Sequence, residues 1–110
     1  MEQDNLYLKH ILESIHAIEQ YVKDIKFEEF VDNKLVQDGV IRNLEIVGEA
    51  SKRLSDEFKQ AHQYIPWKDI AGMRDKLIHD YMGVDLLVVW ETIKHDVPFL
   101  KLKLGQDQVP

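Results

Sequence analysis

Residues 8–25, with the sequence LKHILESIHAIEQYVKDI, decide the fold class of this chain. Their apolar side chains recur at steps of three and four residues, which places them in one stripe along a helix. Asp4 or Asn5 is suited to cap that helix. The pattern predicts an amphipathic helix over about residues 5–25, with the stripe Leu8, Ile11, Leu12, Ile15, Ile18, Val22 and Ile25.

A second long helix is predicted after a short turn or extension at residues 27–31. Asp32 or Asn33 is suited to cap it, and its apolar periodicity ends near Leu54. No segment shows the alternation of a strand with hairpin turn signals. We therefore expect an all-α protein, an antiparallel up-and-down bundle of four to five helices.

Further helices are predicted in the second half of the chain. Ser55 is suited to cap a short helix over about 56–62, and Pro66 to open the next one. Asp85 is suited to cap the last helix. Pro98 should kink or end that helix, because its ring clashes with the carbonyl four residues back.

Composition limits the classes of protein to which the chain can belong. Its 110 residues suit a single domain over 1–110, with a frayed tail at about 105–110. The net charge of -6 argues against a protein that coats nucleic acids. Without a signal peptide or an apolar run of about 20 residues, we expect a cytoplasmic protein with no membrane contact. The absence of cysteine excludes disulfides and thiolate nucleophiles.

Chemistry is concentrated in residues 74–81, RDKLIHDY. Arg74 offers a fork of donors to phosphate oxygens, and His79 can transfer protons near neutral pH. Tyr81 adds a hydroxyl that can bind a base or accept a nucleotidyl group. The segment suits chemistry on phosphodiesters, within a small electropositive cleft around Arg74 and Lys76.

One straight helix would not focus these groups on one point. Arg74 and His79 lie about 140° apart around a helix at 100° per residue. Three arrangements remain open: a helix that loosens toward Gly83, long side chains that reach around a groove, or a second copy of the chain. The last arrangement predicts a symmetric homodimer with two motifs facing each other.

A purely structural role is the alternative for the same side chains. Their charges would then be satisfied within the bundle, and the phenol would pack at its end. Asp75 and His79 also have a spacing that suits a metal ion, but no established metal motif appears, so we expect no metal site. The structural partners would be Glu45 or Glu49 for Arg74, Asp75 for His79, and the bundle end for Tyr81.

The spacing Arg74-x4-His79-x-Tyr81 resembles the signature of HepT-like toxins in the HEPN superfamily. The likeness extends to residues 42–50, which resemble the second-helix block of that family, and to 65–73, which resemble the lead-in to its motif. It implies a HEPN-like helical bundle that dimerises and gathers two motifs in a cleft between subunits. Val89, Trp90 and Pro98 resemble the family's last helix.

The resemblance also implies metal-independent RNA cleavage, in which the ribose 2′-hydroxyl attacks the adjacent phosphate. His79 would be the general acid/base, Arg74 would hold the developing phosphorane charge, and Asp75 would orient the site. No cofactor is expected. Candidate supporting residues are Lys76, Glu45 and Glu49.

In that family the toxin is paired with a nucleotidyltransferase antitoxin, as a type VII toxin-antitoxin pair. The partner uses ATP as AMP donor and transfers AMP to the motif tyrosine, here Tyr81. The alternative is a non-catalytic helical module whose Arg74 and Tyr81 bind a nucleotide or a nucleotidyltransferase. The acidic net charge favours this alternative, whereas the intact set of Arg74, Asp75 and His79 favours the enzyme.

Overall fold

A computed structural model describes residues 2–72 and 85–107 of the chain. All regular structure within these ranges is helical, which confirms the all-α class. The helix called α5 is described over residues 67–72. The other elements are α1 (Glu2–Tyr21), α2 (Phe27–Val31), α3 (Lys34–Arg53), α4 (Asp56–Ala61), α6 (Leu86–Glu91), a π-helical turn (Thr92–Asp96) and α7 (Val97–Asp107).

α1 and α3 form the centre of the bundle and run antiparallel. The ring of Tyr21, the last residue of α1, lies so close to Gly39 near the start of α3 that a Cβ there would collide with it. At the opposite end, Tyr7 of α1 and Arg53, the last residue of α3, line the same groove. Contacts at both ends therefore fix the direction and register of the pair.

α7 packs along another side of α1, also antiparallel. Lys101 in the middle of α7 pairs with Glu19 near the end of α1, with 2.9 Å between Nζ and Oε2. Further along α7, the buried Leu104 lines the same cavity as Leu8 near the start of α1. The up-and-down arrangement predicted from the sequence is therefore present.

The apolar stripe predicted on α1 faces the core. Most of its side chains are buried, and Ile11, Ile15 and Ile18 are almost completely inaccessible. Complete burial of such a side chain contributes about 1.5–3 kcal/mol. Leu12 and Ile25 are partly buried at the edge of the stripe.

The sequence interpretation of residues 27–31 as a turn or extension is wrong, because they form α2. Phe27 and Phe30 lie on one side of this short helix, and both rings pack against Trp90, with centroids 5.8 and 5.2 Å away. The Lys26 amide also donates to Glu29 at the helix start. α6, the π turn and α7 together correspond to the last helix predicted from the sequence. By that count, α2 is the one helix of the described ranges that the sequence did not predict.

Three of the predicted helix caps are confirmed. Asn33 accepts a hydrogen bond from the Val36 amide, Ser55 accepts one from the Phe58 amide, and Asp85 caps α6. Side-chain oxygens at these positions satisfy amides that have no partner inside the helix.

The prediction that Asp4 or Asn5 caps α1 is wrong, because α1 begins at Glu2 and contains both residues. Asp4 is only 5% exposed and accepts hydrogen bonds from Ser55, at 2.8 Å from its amide and 2.7 Å from its hydroxyl. These two bonds lower the pKa of Asp4, against the opposing effect of burial. Asp4 thus ties the start of α1 to the start of α4.

The last helix does not end at Pro98, because α7 continues through it to Asp107. A π-helical turn at Thr92–Asp96 immediately precedes α7. This wider turn includes Lys94, whose carbonyl lies four residues before Pro98 and would clash with its ring in a regular α-helix. Residues 105–107 of the predicted frayed tail are therefore helical, whereas 108–110 lie outside the described residues.

No helix in residues 2–72 and 85–107 is sufficiently long and apolar to cross a membrane.

The buried carboxylate of Asp4 should make stability depend on pH. The folded state holds the pKa of Asp4 below its ordinary value of 3.8, so the stabilisation is present above that pH and is lost as the pH falls through the folded pKa. Replacing Asp4 by asparagine (D4N) should therefore reduce the free energy of unfolding at pH 7 by about 1–2 kcal/mol. Urea unfolding at pH 7 and at pH 3 measures the difference.

The difference between the parent and D4N should narrow at pH 3, because that pH lies below the ordinary pKa of 3.8 and protons bound by the unfolded chain already favour unfolding of the parent. The exposed Asp96 offers a matched control, since Asp96→Asn should change stability little at either pH. If D4N were less stable than the parent by the same amount at both pH values, the pH dependence assigned to Asp4 would be wrong.

Candidate functional site

Most of the predicted site lies outside the described residues. The segment 73–84 contains the whole motif, whereas Glu45 and Glu49 are described on α3. The structure therefore shows what holds the two ends of that segment and what surrounds the two glutamates. The predicted site residues outside the description are Arg74, Asp75, Lys76, His79 and Tyr81.

The chain that leads into the motif is anchored by buried side chains. Ile65 and Ile70 are both in the core. Between them, the indole N–H of Trp67 donates to the carbonyl of His62 at 3.1 Å, and its ring meets the edge of Phe58. These contacts fix the start of α5, and Arg74 follows only four residues after Ile70 in the sequence.

The chain that leaves the motif is anchored by the cap of α6. The Asp85 carboxylate accepts from the amide of Leu87 at 2.9 Å and from that of Val88 at 3.4 Å. One turn later, Val89 is buried and Trp90 packs on the two rings of α2. Both boundaries of the motif segment are therefore held by the bundle.

Glu45 and Glu49 lie in a groove between α1 and α3, which we call the α1–α3 groove. Its volume is about 250 Å³. Arg42 Nη1 lies 3.8 Å from Glu45 Oε2, and Arg53 Nε donates to Glu49 Oε1 at 2.9 Å. The groove is lined by Tyr7, His10, Arg42, Glu45, Ile46, Glu49, Ala50 and Arg53.

The charges of this groove are paired along α3. The hydrogen bond and the negative charge of Glu49, with a smaller contribution from Tyr7, raise the pKa of Arg53. Glu49 and Arg53 are four residues apart, the spacing at which opposite charges pair along a helix. A groove with equal numbers of carboxylates and guanidinium groups offers both hydrogen-bond donors and acceptors, and it carries little net charge.

The α1 side of this groove is not predicted by the sequence. Tyr7 and His10 are three residues apart on α1, and their rings meet edge to face with centroids 6.3 Å apart. Their spacing indicates a shared helix face. It does not indicate which residues of α3 they meet, because that depends on the register of two helices distant in sequence.

The described residues also line two further depressions. A cavity of about 840 Å³ lies between α1 and α4, and a groove of about 440 Å³ lies between α5 and α7. The first, the α1–α4 cavity, is lined by Asn5, Leu8, Lys9, Leu12, Glu13, His16, Phe58, His62 and Leu104. The second, the α5–α7 groove, is lined by Pro66, Lys68, Asp69, Ile70, Gly72, Val88, Thr92, Asp96, Phe99 and Leu100.

Comparison with known proteins gives consistent matches. The family model described as Ribonuclease HepT-like matches residues 11–106. A protein named probable ribonuclease HepT, from Thermococcus cleftensis, is 53% identical over 97 residues, which are 88% of this chain and 88% of that protein. A putative RNase from Caldanaerobacter subterraneus subsp. tengcongensis is 46% identical over 106 residues, 96% of this chain and 95% of that one.

A Methanocaldococcus jannaschii protein named gamma-glutamylcyclotransferase and putative RNase is 53% identical over 96 residues, which are 87% of this chain and 43% of that protein. No solved structure matches this chain.

The cap at Asp85 should matter to stability because it begins the helix that follows the motif. Asp85→Ala leaves two helix amides without their side-chain acceptor, and we expect it to lower the free energy of unfolding by about 0.5–2 kcal/mol. Asp85→Asn keeps an acceptor oxygen and should retain most of the stability. Urea unfolding of the three proteins tests this, and equal losses in the two variants would refute the capping role.

Proposed function

This chain belongs to the ribonuclease HepT-like family, and we propose that it cleaves RNA without a metal ion by using the ribose 2′-hydroxyl as nucleophile. The observation that carries the proposal is the family match over residues 11–106, because it includes the entire motif at 74–81. The residue types of that motif supply what the reaction needs, namely a proton-transfer group and a fixed positive charge.

In the proposed reaction the 2′-oxygen forms a bond to phosphorus, and the bond from phosphorus to the 5′-oxygen breaks. The 2′-hydroxyl gives up its proton to a base, and the departing 5′-oxygen receives one from an acid. The products are a 2′,3′-cyclic phosphate and a 5′-hydroxyl. His79 performs proton transfer, Arg74 holds the charge that develops on the phosphorane oxygens, and Asp75 orients the site.

We further propose that the site is completed in a homodimer. Arg74 and His79 diverge by about 140° on one straight helix, so a second copy of the motif offers the missing groups. A cleft between two subunits would hold two His79 side chains, which supplies one base and one acid for each cleavage. Lys76 would add positive charge beside the RNA backbone.

Tyr81 is the proposed point of control by a nucleotidyltransferase antitoxin. Its oxygen would attack the α-phosphorus of ATP, so that pyrophosphate leaves and AMP becomes attached to the phenol. The added phosphate would place negative charge and bulk beside Arg74, which would block RNA. The site and its partner would then form a toxin-antitoxin pair.

A second function, binding of a nucleotide or of a nucleotidyltransferase without cleavage, is favoured by one observation. The net charge of -6 opposes strong attraction of RNA to the chain as a whole. The cleavage experiment separates the two functions.

Purified protein incubated with total RNA in EDTA should cleave it and leave 2′,3′-cyclic phosphate ends. Loss of the proton-transfer group in His79→Ala should lower the rate by roughly 10²–10⁴-fold. Arg74→Ala should lower it at least as much, because charge stabilisation is often the larger contribution. His95→Ala, at an exposed histidine that pairs with Glu91, is the matched control and should retain the parental rate.

RNA cleavage by His79→Ala at the parental rate would contradict the mechanism. Absence of cleavage by the parent in any RNA pool would instead favour the binding module.

Modification of Tyr81 is tested with the cognate nucleotidyltransferase and ATP. Intact-mass analysis should show AMP additions on the parent and none on Tyr81→Phe, because the phenylalanine has no oxygen to accept the nucleotidyl group. Tyr64→Phe removes a hydroxyl from another exposed tyrosine and should leave the additions unchanged. The same additions on Tyr81→Phe would refute the site.

A further inference from the structure

Aromatic rings form a continuous series on one surface of the bundle. The Phe58 and His62 rings are stacked with centroids 4.1 Å apart, and the Tyr64 ring follows at 5.9 Å from His62. Lys103 Nζ then lies 5.7 Å from the Tyr64 centroid and 5.6 Å from that of Phe99. We call these four rings, with the lysine that bridges the last two, the aromatic track.

The track is accessible where it crosses the surface. Tyr64 is 50% exposed and Phe99 is 42% exposed, although aromatic side chains of this size usually contribute to the core. Phe58 and His62 are half-buried. A cation that lies within about 6 Å of two exposed rings is favourably placed over their faces. If the base of a nucleotide stacked on one of these rings, its phosphate would lie beside the Lys103 ammonium.

The track also joins the two larger depressions. Phe58 and His62 line the α1–α4 cavity, and Phe99 lines the α5–α7 groove. That groove includes Gly72, two residues before Arg74 in the sequence. A flexible polymer that followed the rings would therefore pass from a wide cavity to Gly72, the last described residue before the motif in the sequence.

Charge along this path differs from that of the whole chain. From Val97 to Gly105 the sequence contains Lys101 and Lys103 and no acidic residue, although the chain has a net charge of -6. Lys9 and His16 also line the cavity, together with the single acid Glu13. The α5–α7 groove adds Lys68 together with Asp69 and Asp96, and Lys101 is paired with Glu19, so the path is not uniformly basic. Lys103 is the cation beside the two exposed rings. Aromatic faces with a cation beside them are a combination that binds single-stranded nucleic acids.

We propose that the aromatic track binds single-stranded RNA, with bases stacked on Tyr64 and Phe99 and a phosphate on Lys103. This inference rests on the proposed ribonuclease function and adds where the substrate lies outside the cleavage motif. Stacking does not depend on base identity, so the track binds RNA with little sequence preference. Duplex RNA is excluded from it, because its bases are already stacked on each other.

The test measures binding separately from cleavage. The probe is a fluorescent single-stranded oligouridine of about 12 nucleotides with 2′-O-methyl groups, which cannot be cleaved by 2′-hydroxyl attack. Fluorescence anisotropy with the full chain gives the Kd at several salt concentrations. The variants are Tyr64→Ala, Phe99→Ala and Lys103→Gln, with Tyr64→Phe and Phe99→Tyr as variants that keep each ring.

Each alanine variant should weaken binding at least about fivefold, whereas the variants that keep the ring should bind like the parent. Lys103→Gln should also reduce the slope of log K against log salt by about 0.7, the value for one phosphate contact. Leu35→Ala is the matched control, because Leu35 is a large apolar side chain that is 79% exposed on α3, outside the track. Its affinity for RNA should equal that of the parent. Circular dichroism and thermal unfolding of every variant show whether the fold is kept.

If the folded alanine variants bound the RNA probe as tightly as the parent, the proposed track would be wrong. It would also be wrong if the parent did not bind the probe. A duplex probe that binds as tightly and loses affinity equally in Tyr64→Ala would also overturn it. Failure of the aromatic track and failure of the proposed ribonuclease function give different results. Track-dependent binding without cleavage of ordinary RNA would remove only the ribonuclease proposal, and His79-dependent cleavage with unchanged binding by the alanine variants would remove only the track.

Discussion

The antiparallel contact between α1 and α3 is the constraint on which the other elements depend. At one end the ring of Tyr21 lies over Gly39, and at the other Tyr7 and Arg53 line the same groove. Because both helices are 20 residues long, a shift of register would disrupt both ends and would also carry buried side chains out of the core. The fixed pair then provides the surfaces on which α2, α4 and α7 pack.

The main features of this fold could be predicted from the sequence because they depend on local patterns. The stripe on α1 and the caps at Asn33, Ser55 and Asp85 are all visible within a few residues. The errors concern interactions between distant segments. The two phenylalanine rings of α2 pack against Trp90. A pattern of five residues does not reveal a partner that lies about 60 residues away in the sequence.

The site residues also divide into those that a local pattern reveals and those that depend on packing between distant segments. The motif at 74–81 and the pairing of Glu49 with Arg53 are local and could be recognised from spacing. The groove that holds Glu49 also contains Tyr7 and His10 from α1, and their presence there depends on how the helices pack. Asp4 is a similar case, because a residue that resembles a cap for its own helix in fact accepts hydrogen bonds from Ser55, which caps α4.

The π-helical turn at Thr92–Asp96 has a consequence for the side chains that follow it. A π turn contains one residue more than an α turn, so every residue of α7 is rotated by about 100° relative to an uninterrupted α-helix. The angular position of Phe99 and Lys103, and hence their alignment with Tyr64, is set by that extra residue. Relatives that lack one residue in this stretch would present a different face of the last helix, even with identical residues along it.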